Sequence, residues 1–367
     1  MRYGSSLLPS LALSLPNNMG SRRWSLLCIA LILLVGVSSY EQSMGGSILG
    51  WGEQGEGELF AYPRNAPSCP STDQSLYYLP VIGIVTHPGD GASGRLSNAT
   101  GVSNIPASYV KFVESAGARV IPLIFNEPEE TLREKLSLVN GVLFTGGWAK
   151  KGLYYETIKR VFEITLERND AGDHFPLFAI CLGFELLSMI ISKDRDICER
   201  FQGENQASAL YFPDFAEIQG SVFERFPREL LRKLSTDCLA MQNHKFGLSP
   251  KRLQDNDALA SFFRILTTSK DENDKVYIST AQAYNYPVTA FQWHPEKNAF
   301  EWGLSVIPHS EDAVRVTQHV ANYFISEARR SLNRPLADKV LDNLIYNYSP
   351  TYCGRAGKGY DEVYIFS

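Results

Sequence analysis

The sequence is poor in basic residues relative to acidic ones: 35 Lys and Arg face 40 Asp and Glu, a formal charge of -5. Three of the cations, Arg2, Arg22 and Arg23, precede Glu41, where there is no Asp or Glu, so the remainder sets 32 cations against 40 anions. A balance of that sign has no electrostatic footprint for nucleic acid; a mildly acidic surface serves solubility. HExxH and CxxC patterns are absent, so no metal is inferred and no cofactor is called for. Gly and Pro are unremarkable in number, which excludes a collagen-like chain. No internal repeat and no low-complexity tract is found. The apolar run from Leu26 to Val37 falls short of the roughly 20 residues of a comfortable membrane span. What is present is a chain of 367 residues, 44% hydrophobic, ample for one large domain or two small ones.

Arg22 and Arg23, the apolar run and then Ser38-Ser39 follow the pattern of a secretory signal. Residues 1–39 are therefore expected to be removed, leaving no stable membrane span; an uncleaved signal anchor is the alternative. The stretch before Arg22 is long for such a signal, and a start at Met19 would give one of ordinary length. Of six cysteines, Cys28 leaves with the signal. The five others, Cys69, Cys181, Cys198, Cys238 and Cys353, are an odd number, so an oxidising compartment leaves at least one thiol unpaired. Asn98-Ala99-Thr100 and Asn347-Tyr348-Ser349 are glycosylation acceptor patterns, the second weakened by Pro350.

Residues 40–78, rich in Gly, Glu, Ser and Pro, read as a loose extension. From Leu79 on, apolar strands alternate with amphipathic helices: Val81 to Val85, a helix carrying Tyr109, Phe112, Val113 and Ala116, a strand from Arg119, a short helix from Pro128 to Leu138, a strand from Gly141, a helix carrying Ile158, Val161, Phe162 and Leu166, and a strand from Leu177 to Ile180. Several strands are wholly apolar, the mark of burial on both faces. Strands near Phe263, Val276 and Val288 and a long helix around Val316 and Val320 complete residues 79–367. The expectation is an α/β fold, a mostly parallel sheet flanked by helices.

Cys181 stands where the strand Pro176 to Ile180 turns into a helix containing Phe184, Leu186 and Leu187. Such a turn presents the sulfur at the carboxyl edge of the sheet. The helix N-terminus is expected to lower the thiol pKa and to supply N–H groups for an oxyanion. The same local pattern also suits a buried structural cysteine. Gln292-Trp293-His294-Pro295-Glu296 ends another apolar strand; His294 can take and return the thiol proton, with Glu296 orienting its ring. Asn243-His244-Lys245 is read as a polar loop, in which His244 is an alternative base, a substrate contact or a solvated loop residue. The diglycine Gly146-Gly147 after Phe144-Thr145 offers a second oxyanion donor or an ordinary tight turn. His87, His174, His309 and His319 belong to no constellation.

Together these motifs resemble the γ-glutamyl hydrolase family, within the class I glutamine-amidotransferase-like (flavodoxin-like) fold. The matching stretches are Ser108 to Val120, Phe144-Thr145-Gly146-Gly147, Cys181-Leu182-Gly183-Phe184-Glu185, Asn243-His244-Lys245 and Gln292 to Lys297, in that order. The resemblance runs from about Leu79 to the C-terminus and implies a single catalytic domain over 79–367. It implies Cys181 as nucleophile, His294 as base, Glu296 as its partner, His244 as a second active-site histidine, and the N–H groups of Leu182 and Gly147 as oxyanion donors. It further implies folate poly-γ-glutamates as substrates, a γ-glutamyl thioester resolved by water, a homodimer, and a secreted, lysosomal or vacuolar destination. Where the family pattern usually has Gly two residues before the cysteine, this chain has Ala179; the turn is expected to survive unless that position needs positive φ. A glutaminase feeding ammonia to a synthase shares the Cys-His-Glu set, but the chain has no synthase domain and a secretory signal. A catalytically silent binding protein of the same fold is the non-enzymatic alternative, disfavoured by the intact Cys181, His294 and Glu296.

Overall fold

A computed structural model describes residues 71–91, 101–353 and 360–367. The signal segment, Cys28, Cys69, the extension up to residue 70 and Asn98 lie outside the described residues. Thirteen strands are described: β1 (Val81–Val85), β2 (His87–Pro88), β3 (Ser103–Pro106), β4 (Arg119–Leu123), β5 (Gly141–Phe144), β6 (Leu177–Ile180), β7 (Glu199–Ser208), β8 (Ala240–Gly247), β9 (Phe263–Lys270), β10 (Val276–Ala283), β11 (Val288–Phe291), β12 (Thr351–Tyr352) and β13 (Glu362–Phe366). Seven of them make the central sheet, in the order β4-β1-β5-β6-β11-β10-β9. The first five are mutually parallel, and β10 and β9 extend the sheet antiparallel.

The apolar runs are continuous because both faces of this sheet are covered. Along β1, Val81 and Val85 enter one buried cluster with the helices Glu129–Ser137, Gly152–Asp170 and Leu182–Ser192. Ile82 and Ile84 enter the opposite cluster with the helices Ala107–Glu114, Arg228–Thr236 and Glu311–Ala328. In β6 the same alternation sends Leu177 and Ala179 one way and Phe178 and Ile180 the other. Phe178 stacks on Phe324 of the helix Glu311–Ala328 at 4.1 Å between centroids, so the sheet grips the covering layer by aromatic contact as well as by area.

The parallel arrangement places the site. β1, β5, β6 and β11 are consecutive neighbours, so their carboxyl ends lie along one edge, where open α/β sheets receive ligands. The residues that follow those ends are Thr86-His87, Thr145-Gly146-Gly147, Cys181 and Gln292 to Glu296. A four-stranded sheet, β12-β13-β3-β2, stands at the same end, since β2 directly follows β1. Its strand β13 comes from the C-terminus and pairs antiparallel with β3, Val363 opposite Pro106.

One reading is corrected. Asn243-His244-Lys245 is not a loop but the middle of β8, which forms an antiparallel two-stranded sheet with β7. The pair lies outside the main sheet, and the exposure of Lys245 and Phe246 beside buried Met241, Gln242 and His244 gives the strand a polar, broken appearance. Among the described residues no helix is long and apolar enough to cross a membrane.

Candidate active site

β6 ends in a sharp reversal. Cys181 has φ 52 and ψ -105 and stands just before the helix Leu182–Ser192. A side-chain-bearing residue in so sparsely populated a region costs of order 1–3 kcal/mol and persists only where its surroundings hold it. Here the Cys181 N–H donates to Phe291 O at 2.6 Å and the Glu185 N–H donates to Cys181 O at 3.2 Å. Gly183 lets the helix close on β5: a Cβ there would lie 2.9 Å from Phe144 O. Ala179 lies within β6, paired with Ala290 and Phe144, and is not among the positive-φ residues, so the turn forms without glycine at that position.

The thiol does not behave as the helix N-terminus alone would suggest. The Leu182 N–H and Lys297 do favour the thiolate, but burial, followed by the charges of Glu185 and Glu296, outweighs them and pushes the Cys181 pKa up. The resting sulfur is thus protonated, 4.0 Å from Asn243 O, and its attack requires a base.

His294 is three residues past β11. Its N–H donates to Met241 O at 2.8 Å, and its Nδ1 lies 2.8 Å from Glu296 Oε1. Burial by itself would raise the Glu296 carboxyl; the His294 ring, and then Lys297, more than offset it and hold the pKa below the ordinary value. An ionised carboxylate only accepts, so Nδ1 carries a hydrogen, and in the neutral form of the ring the lone pair is on Nε2. That Nε2 is buried without a hydrogen-bond partner. Gly146 marks the meeting point, since a Cβ on it would lie 2.9 Å from His294 Cε1 and 3.5 Å from Cys181 Cβ. Cys181, His294, Gly146 and Gly147 line one cavity of about 260 Å³.

The remaining residues singled out by the sequence divide. Gly147 belongs to the cavity; its φ of 154 and the 2.3 Å that would separate a Cβ from His87 Cδ2 both require glycine. Its N–H has no acceptor among the described residues, and the Leu182 N–H is directed at the Cys181 sulfur. His244 is buried but does not line the cavity. Its Nδ1 is 2.9 Å from Phe246 O, its ring meets Tyr277 at 4.6 Å, and Gly203 lies against its Nε2. Burial, reinforced by His294, lowers its pKa to about 4 despite the Phe246 carbonyl. Asn347 is exposed, its amide nitrogen donating to Leu341 O and Asp342 O at 3.1 and 3.0 Å. Cys181, Cys198 and Cys238 form no disulfide among the described residues.

Three contributors escaped the sequence reading. His87 Nε2 accepts from the N–H groups of Trp148 and Ala149, at 3.0 and 3.1 Å, and so holds the diglycine loop in shape. Burial keeps the ring neutral, with a pKa of about 4. Tyr109 supplies the other brace, its hydroxyl oxygen accepting from the Gly146 N–H at 2.9 Å. Tyr360 enters the cavity wall from the C-terminal tail. His87 alone had a usable signal, its place two residues beyond a strand.

Residues 80–193, which contain Cys181, match the Peptidase C26 family model. Gamma-glutamyl hydrolase 2 of Arabidopsis thaliana is 67% identical over 302 residues, covering 82% of this chain and 87% of that one. The chain belongs to the γ-glutamyl hydrolase family. The gamma-glutamyl hydrolase of Homo sapiens is 35% identical across 78% of this chain and 89% of its own. Among solved structures, a glutamine amidotransferase from Thermotoga maritima is 15% identical with a TM-score of 0.38, covering 69% of this chain and 99% of that one. This γ-glutamyl hydrolase family member is accordingly a cysteine-type hydrolase, and a buried thiol sharing a cavity with a carboxylate-backed imidazole is an arrangement that suits such chemistry.

Proposed function

We propose that the enzyme hydrolyses the γ-glutamyl amide bonds of folate poly-γ-glutamates through a γ-glutamyl thioester on Cys181. The observation that carries this is the sharing of one cavity by the strained, protonated Cys181 and a His294 ring whose Nδ1 is fixed on Glu296. His294 Nε2 takes the thiol proton as the sulfur attacks the γ-carbonyl carbon. The N–H groups of Gly147 and Leu182 receive the oxyanion. Collapse breaks the C–N bond, and the imidazolium returns its proton to the departing amine. Water then attacks the thioester while His294 takes its proton; the C–S bond breaks, the γ-carboxylate leaves, and the thiol is restored. Glu296 stabilises the imidazolium in both halves. His244, neutral and packed outside the cavity, positions the strand that carries it and transfers no proton.

The N-terminal signal pattern supports a secretory route to a vacuole-like compartment or the exterior, and the family resemblance supports a homodimer. The functional test compares kcat/KM of the purified protein on folylpolyglutamate and on free glutamine, without any partner. Folylpolyglutamate should be much preferred, because its remote contacts help to position the scissile amide. Equal or better turnover of glutamine would transfer the assignment to a glutaminase.

A further inference from the structure

Beside the catalytic cavity lies a larger cleft of about 750 Å³, whose lining includes Trp148, Lys150, Lys151, Arg195 and Asp196. Trp148 also lines the cavity that holds Cys181, so the two spaces adjoin around one indole, which is 71% exposed. The charge of this cleft runs against that of the chain: three cations and one anion line it, in a protein with 35 cations and 40 anions overall.

The cations are held in place by different means. The Lys150 ammonium is ion-paired to the buried Glu185 carboxyl and lies 3.9 Å from the centroid of the Phe246 ring. The Arg195 guanidinium stacks on Tyr155 at 3.3 Å, donates to Lys150 O at 3.3 Å, and has a loose, exposed ion pair with Glu156 at 3.5 Å. Lys151 is exposed at the start of the helix Gly152–Asp170 and has no ion-pair partner among the described residues.

A γ-linked glutamyl chain spends its side-chain carboxyls on the linkages and keeps every α-carboxylate. It therefore carries one negative charge per residue and one more on the free γ-carboxylate at its end. An acidic enzyme repels such a chain unless the approach to the scissile bond is locally positive. We propose that this cleft seats the γ-linked glutamyl chain beyond the scissile bond, with Lys151 and Arg195 pairing successive α-carboxylates and Trp148 forming the wall between the cleft and the thiol. The proposal rests on the γ-glutamyl hydrolase reading. Exposed ion pairs are individually weak, so the cleft adds a small increment for each further residue and expresses itself as a preference for chain length.

The test measures kcat/KM on pteroyl-pentaglutamate and pteroyl-diglutamate for the wild type and for Lys151→Glu. The ratio of pentaglutamate to diglutamate should fall about fivefold in the variant, the most an exposed pair typically supplies. Added salt should lower the ratio in the wild type more than in the variant. A ratio that Lys151→Glu leaves unchanged overturns the proposal. A wild type that cleaves neither substrate would defeat the hydrolase reading instead, and the cleft is then judged by binding. Calorimetric titration of the Cys181→Ala protein with a pentamer of γ-linked glutamate supports the cleft if affinity drops on adding Lys151→Glu, and overturns it if affinity is equal or if no binding is seen.

Discussion

Cys181 sits where its anion is disfavoured: burial and two carboxylates raise its pKa, and the Leu182 N–H and Lys297 only partly compensate. A standing thiolate is thus not the resting nucleophile, and the demand on a base is greater than in a site that ionises its cysteine in advance. That base must reach the cavity: His294 lines it and His244 does not, while His87, which also lines it, spends its Nε2 on the N–H groups of Trp148 and Ala149. His294→Asn is therefore expected to lower kcat by ~10²–10⁴, the usual value of a general base, and His244→Asn to cost far less. Glu296→Gln should fall between them, because an amide oxygen can still orient Nδ1 but brings no charge to the imidazolium. Steady-state rates of the three variants, with folding checked by circular dichroism, decide the matter. The reverse order of the two histidine variants would move the base to His244. Cys181→Ala should leave a folded protein without activity, since no other described thiol lines the cavity.

The turn from β6 into the helix Leu182–Ser192 is the element on which the site depends, and it was legible because apolar strand, Cys-Leu-Gly and apolar helix follow one another without interruption. The glycine is a packing requirement more than a conformational one: Gly183 has ordinary helical placement, but a Cβ would press on Phe144 at 2.9 Å from both its O and its Cβ. Gly183→Ala should push the helix off β5, cost about 1–3 kcal/mol as overpacking does, and reduce activity beyond that by moving Cys181 and the Leu182 N–H. Chemical denaturation and kcat measured on the same variant test this; wild-type stability with wild-type turnover would show that β5 yields freely. The strand ends bearing Gly147 and His294 were legible for a similar reason, as polar motifs directly after buried runs. β8 was not, because its buried residues include polar Gln242 and His244 and the run is then broken by exposed Lys245 and Phe246, so neither an apolar run nor an alternation marks it. Tyr360 was illegible for a different reason: it stands just before β13, which pairs with β3 across more than two hundred residues of chain, and no local pattern reports such a contact.

For the molecule as a whole, the buried titratable groups set opposing slopes of stability against pH. His87 and His244 have pKa values lowered to about 4 by burial, against about 6.5 when unfolded. The unfolded chain therefore binds protons that the folded chain refuses, and the stability these groups contribute is complete above pH 6.5 and lost as pH falls toward 4. Each can remove up to ~1.4 kcal/mol per pH unit in that window. Glu301 works in the other direction. Burial, against the pull of Lys297 and the Asp361 N–H, raises its pKa to about 7. The folded state then takes up its proton first, and stability is gained as pH falls from 7 to the unfolded value of about 4.3. Glu185, raised by burial beside Lys150, adds to that gain. Below the ordinary carboxylate range the compensation is exhausted, and the lowered carboxyls of Glu296 and Glu327 join the histidines in losing stability. The expected curve is shallow from pH 7 to about 4.5 and steep below. Glu301→Gln keeps an acceptor for the Asp361 N–H, which Glu301 Oε2 now receives at 2.7 Å, but cannot titrate. Its unfolding free energy from urea titration should therefore drop more steeply than that of the wild type between pH 7 and 4.5, by up to ~1.4 kcal/mol per pH unit. Parallel curves for the two proteins across that interval would mean that Glu301 ionises alike in both states and that the shallow region has another origin.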